Sequence, residues 1–139
     1  MLARHAEFLT DLRALDVAEG TEVNRFQLLA EFRVYSAVLA DTLTVPEGFT
    51  FDGESIPSFV AWIAPPFGQS KRGACVHDYL YRHSGYYQLN GEFQPVTRAQ
   101  ADAVYHELVT LKGLPRWRAT MRWTILRLAG WYAWNHQPA

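Results

Sequence analysis

His77 and Asp78 are adjacent in the chain, and Asp102 follows on the next stretch with helical periodicity. An imidazole whose far nitrogen is held by a carboxylate has a fixed tautomer and makes a better general base. A neighbouring aspartate that faces backbone carbonyls supplies half of a calcium site, because Ca²⁺ takes carboxylate and carbonyl oxygens. The same residues have a plainer reading as a buried hydrogen-bond network, with His77 satisfied by Asp102 and Asp78 capping a backbone group. A third reading is a zinc site drawn from Asp52, His77, Asp102 and His106, since imidazole suits zinc. Asp102 and His106 have the i, i+4 spacing of two ligands on one helix face, but the set lacks a recognised zinc signature. Zinc therefore ranks behind calcium.

For Asp102 to approach His77, two helices must pack antiparallel. Ser70 is placed to cap the first, which runs through about His83 and stops at Ser84-Gly85. Ala74, His77 and Tyr81 share one stripe of it, and Asp78 lies about 100° further round. Tyr86 to Pro95 reads as a hairpin turning at Asn90-Gly91. Thr97 and Gln100 form a capping box that opens the second helix, which continues to about Lys112 and stops at Gly113. Its apolar stripe is Ala101, Val104, Leu108 and Leu111, with Asp102 at the margin. Pro115 sits at a first helical position and opens a third helix that reaches about Trp134.

The N-terminal half reads differently. Phe8, Leu9, Leu12 and Leu15 have helical spacing, so a short helix is expected within Ala6 to Leu15. Arg25 to Tyr35 and Thr42 to Val45 carry β-formers and read as an antiparallel pair, ended by the turn Pro46-Glu47-Gly48. From Phe49 to Gly68 the chain is rich in turn dipeptides, with a short helix at Ser58 to Ile63. The expected fold is α+β: a small N-terminal antiparallel β-sheet followed by a three-helix C-terminal half, in a single domain over residues 1–139.

Composition narrows the class. Hydrophobic residues make up 49% and charged residues 19%, as in globular chains. A formal net charge of −1 gives no reason to expect nucleic acid. No apolar run approaches the ~20 residues of a transmembrane helix, and the start lacks the regions of a signal peptide. Cys75 is the only cysteine, so an internal disulfide is excluded and a reducing compartment is permitted. The charges are unevenly spread. All 14 acidic residues fall at or before Glu107. Lys112, Arg116, Arg118, Arg122 and Arg127 follow with no acid, interleaved with Trp117, Trp123, Trp131 and Trp134. This tail could meet a lipid or protein partner. The plainer expectation is a helix that buries its Trp and Leu stripe and solvates its arginines.

Two resemblances add to this. The run Val45-Pro46-Glu47-Gly48-Phe49-Thr50-Phe51-Asp52-Gly53-Glu54-Ser55-Ile56-Pro57 is followed by Pro65-Pro66-Phe67-Gly68, His77-Asp78-Tyr79-Leu80-Tyr81, Arg98 with Asp102, and Pro115-Arg116-Trp117. Together they resemble a family of short bacteriophage and prophage proteins designated domain of unknown function 1353, over about residues 25–134. Phe51 and Glu54 depart from it, standing where Thr and Ala are common. The resemblance implies a phage origin, in the host bacterial cytoplasm or the particle, and no settled activity.

A more distant similarity covers about residues 65–108 and is to the helix pair of phospholipase A2. It implies that His77 is the base activating water, Asp78 a calcium ligand, Asp102 the orienting acid and Tyr81 a supporting hydroxyl. The paired disulfides and the glycine-rich calcium loop of that family are missing, and Asp52 with nearby carbonyls would have to stand in. Two functions follow from these residues. One is a calcium-dependent hydrolase of phospholipase type, and the other a non-enzymatic virion component or host-interaction protein in which the cluster is structural. Substrate and oligomeric state are left open.

Overall fold

In the computed structural model, residues 4–16, 25–52, 71–129 and 134 are described. The order of elements is β1 (Glu7–Phe8), β2 (Ala14–Asp16), β3 (Arg25–Leu28), β4 (Phe32–Ser36), β5 (Asp41–Val45) and β6 (Thr50–Asp52). Then come α1 (Lys71–His83), β7 (Gly85–Tyr87), β8 (Phe93–Pro95), α2 (Arg98–Leu111) and α3 (Arg116–Ala129). Antiparallel sheets thus precede three helices, an α+β layout. The expected short helix at Ser58 to Ile63, the turns beyond Asp52 and the Ser70 cap lie outside the described residues.

The strands form two three-stranded sheets, β1-β4-β5 and β2-β3-β6, plus the hairpin β7-β8. β4 and β5 pair antiparallel with Phe32 opposite Val45 and Val34 opposite Leu43. Period-two alternation turns Phe32, Val34, Leu43 and Val45 into the core. The segment 25–35 is not one strand. It breaks after Leu28, and its first part, β3, joins β2 and β6 in the second sheet. The helix expected within Ala6 to Leu15 is also absent, replaced by β1 and β2. Helical spacing of four apolar residues is outweighed there by ladder bonds to β4 and β3.

The helical half follows its punctuation closely. α1 is buried over most of its circumference, from Gly73 to Tyr81. Ser84 ends it in the left-handed region at φ 53°. Gly85 is needed for another reason: a Cβ there would stand 2.4 Å from the Gln94 carbonyl oxygen and 2.4 Å from the Phe93 ring. The hairpin turns at Gly91, φ 88°. Thr97 and Gln100 make both bonds of the capping box on α2. Gly113, φ 110°, closes α2 with bonds from its own N–H to Thr110 and from Leu114 N–H to Val109, a Schellman arrangement. Pro115 caps α3, its carbonyl accepting from Ala119 N–H. α3 is described through Ala129, and Trp134 is helical too.

Phe26, Leu28, Phe32, Val34, Leu43, Val45 and Phe51 from the sheets meet Cys75, Val76 and Leu80 of α1 and Ala101, Val104 and Leu108 of α2 in one core. α1 packs tightly on α2 at Gly73, where a Cβ would lie 2.7 Å from Val109 Cγ1. Val109 is fully buried and β-branched, so it cannot swing aside. A Gly73→Ala change should gain up to about 1 kcal/mol of helix propensity and lose about 1–3 kcal/mol to overpacking. A net loss in urea denaturation is the expected outcome, and a net gain would show the helices are not held this close.

Candidate functional site

The close packing of α1 on α2 brings His77 and Asp102 into contact. His77 Nε2 lies 2.8 Å from Asp102 Oδ1, and the Tyr81 hydroxyl donates to the same oxygen at 2.6 Å. Both come from α1, one turn apart, so both reach the same partner on α2. The His77 and Tyr81 rings stand 4.1 Å apart, and the edge of Tyr105 closes on His77 at 5.3 Å. Trp134 covers the other side of Tyr81, its ring at a right-angled 5.1 Å.

Asp102 is fully buried rather than marginal on its helix. A carboxylate out of water is costly unless every acceptor site is used. Its second oxygen accepts from Arg127 Nη1 of α3 at 3.0 Å, and Arg98 Nη1 stands 3.7 Å away. Arg98 meanwhile donates to the carbonyls of Leu126 and Arg127, at 2.9 and 3.0 Å. Those carbonyls belong to the last turn of α3, where a cation is favoured. Arg98 therefore ties down the turn that aims Arg127 at Asp102.

Burial pushes the Asp102 carboxyl up, but the hydrogen bonds from His77 and Tyr81, the His77 charge and Arg127 together bring it below the usual carboxylate range. Burial and then the bond to Asp102 push the Tyr81 phenol well above its ordinary value, so it stays a donor. An ionised Asp102 can only accept, so Nε2 of His77 carries a proton and donates it to Oδ1. The geometry can thus orient and polarise an imidazole. His77 itself is only 6% exposed.

Asp78 is half-buried beside this pair. Burial and then the Asp78 charge raise the Cys75 thiol. Asp52 ends β6, a strand that packs on α1, and Arg82 of α1 donates to the Thr50 carbonyl at 2.8 Å. The Asp52 side chain lies outside the described residues. His106 turns away from His77 to Thr120 of α3, at 3.2 Å. With His5, Glu107 and Arg116 it lines an open cleft of about 520 Å³ whose lining includes neither His77 nor Asp102. Among the described residues, no three His, Cys, Asp or Glu side chains gather to hold a metal.

Sequence reasoning missed Arg127 and misjudged α3. Arg122 is buried and donates to the Tyr105 hydroxyl at 3.0 Å, while Trp117 and Leu128 are 58% and 75% exposed. The expected burial of Trp and Leu with solvated arginines is therefore partly reversed. The absence of any acid after Glu107 was the available signal. Arginines without local partners can pair with acids on other helices, and one acid on α2 is buried here.

The family model for a protein of unknown function, DUF1353, matches residues 26–126. The chain belongs to this family. The span that defines DUF1353 here holds His77, Asp78, Tyr81, Arg98 and Asp102, and ends one residue short of Arg127. No curated protein and no solved structure matches the chain.

Because Asp102 is ionised and lowered, its contribution to stability is complete above its ordinary value of 3.8 and is lost as pH falls through the lower folded value. Asp102→Asn keeps the shape and strands Arg127 and the imidazole. It should cost about 3–5 kcal/mol, the range for breaking a buried pair. Denaturation followed across acid pH should also show a shallower slope than the parent below that value.

Proposed function

We propose that this chain is a phage-encoded protein with a hydrolytic site of the phospholipase A2 type, in which His77 activates water against an ester. The observation that carries this reading is the shared Asp102 oxygen, taken by His77 Nε2 at 2.8 Å and by the Tyr81 hydroxyl at 2.6 Å. With Nε2–H held, Nδ1 takes a proton from water and the hydroxide formed attacks the carbonyl carbon. The imidazolium is stabilised by Asp102, and its Nδ1 proton passes to the departing alkoxide. Tyr81 and Arg127 keep the carboxylate in place.

Calcium at Asp78, completed by Asp52 and backbone oxygens, belongs to the same proposal. Among the described residues the donors do not by themselves make a calcium site, so the steps above use no metal. The host cytoplasm or the phage particle is the proposed setting. No helix among the described residues is long and apolar enough to cross a membrane.

A second reading is favoured by one observation. Asp102 has partners on both oxygens, and its histidine is nearly sealed. A satisfied buried network of that kind stabilises a fold without catalysis. It fits a virion component or host-interaction protein.

Release of fatty acid from mixed micelles of phosphatidylcholine and detergent, with millimolar Ca²⁺, separates the two. The parent should hydrolyse, and His77→Gln, which can still donate to Asp102, should be about 10²–10⁴-fold slower. Calcium should also raise the melting temperature of the parent. An inactive parent with a flat calcium response, or a variant as fast as the parent, supports the structural reading instead.

A further inference from the structure

On α3, Ala119, Arg122 and Leu126 follow one another at three and four residues and face the other helices. Ala119 and Arg122 are buried, and Leu126 packs against Tyr105, Val109 and Leu114. At 3.6 residues per turn, Trp117, Met121, Thr124 and Leu128 fall within about 60° of arc on the opposite side. Trp117 is 58%, Met121 38% and Leu128 75% exposed. Arg116 and Arg118 stand about 100° to either side of Trp117, and the Arg118 guanidinium lies 5.1 Å from the Trp117 ring. Lys112 is exposed just before the helix. Neither α3 nor the chain after it carries an acid.

We propose that this outer face of α3 docks on the surface of an anionic lipid bilayer. A tryptophan, a methionine and a leucine in one stripe, flanked on both sides by cations, match an apolar boundary beneath negative headgroups. A two-fold pairing of this face with a second copy would set Arg116 and Arg118 against like charges, which disfavours self-association. A solvated helix would have no use for three exposed large apolar side chains in line. The inference goes beyond the hydrolytic reading and stands without it, because it rests on α3 alone. It also gives the inward turn of Arg122 and Arg127 a consequence. With those two cations directed to Tyr105 and Asp102, the outward positive charge of α3 is concentrated around Trp117.

The test is co-sedimentation of the full chain with vesicles of equimolar phosphatidylglycerol and phosphatidylcholine, against phosphatidylcholine alone. Binding is expected to the anionic vesicles, weakening as salt is added. Arg116→Ala should weaken it about fivefold, the worth of one cation near such a surface. Trp117→Ala should weaken it on the order of tenfold. Arg116 and Trp117 are both exposed, so a thermal melt of either variant should report an unaltered fold. Leu89→Ser, at the exposed tip of the β7-β8 hairpin, should bind like the parent. His77→Gln should also bind like the parent, so docking and hydrolysis can fail separately. The proposal is overturned by no binding to anionic vesicles, or by binding that Trp117→Ala and Arg116→Ala leave intact. It is equally overturned if poly-glutamate binds this face and the vesicles do not, which would indicate an acidic protein. Self-association abolished by Trp117→Ala, without vesicle binding, would assign the face to a second copy.

Discussion

A carboxylate with no access to water is the constraint around which the helical half is arranged. Asp102 can be ionised inside the protein only because other groups converge on it: His77 and Tyr81 from α1 and Arg127 from α3 form hydrogen bonds to it, and the Arg98 guanidinium of its own helix stands 3.7 Å away. Removing water strengthens each of these bonds and raises the cost of losing any of them. The helices are consequently fixed relative to one another by polar contacts as well as by apolar packing. Gly73 lets α1 come near enough for the imidazole to reach, and the Arg98 fork on the end of α3 brings Arg127 in from the other side.

That arrangement has two faces. Seen from the histidine, it holds one tautomer and one ring orientation, the preorganisation a general base requires. Seen from α3, it draws arginine inward on a surface helix and leaves large apolar side chains outward. The same interaction therefore shapes a candidate reaction centre and the composition of an exposed helix face.

Much of this was legible in the chain. The capping box at Thr97 and Gln100, Gly113, and the hairpin turn at Asn90-Gly91 are local devices whose effect depends on a few neighbouring residues, so they were readable directly. The contact of His77 with Asp102 was legible because periodicity places both on facing helices. The N-terminal strands were harder. Phe8, Leu12 and Leu15 fit a helical period as well as short strands do, and ladder bonds to distant residues decide between them. Arg25 to Tyr35 divides into strands of two different sheets, a choice made by long-range pairing. The inward arginines of α3 depend on a partner on another helix, which sequence spacing does not reveal. Arg98 stood beside Asp102 in the motifs that carry the family resemblance, whereas Arg127 had no such signal.

The central claim is that an ionised Asp102 holds the proton of His77 on Nε2. Long-range ¹H–¹⁵N NMR of the protein labelled at histidine reads the protonation of each ring nitrogen separately. The account predicts a protonated Nε2 for the His77 ring, with that fixed placement lost in Asp102→Asn. A proton on Nδ1 with Nε2 bare would contradict it.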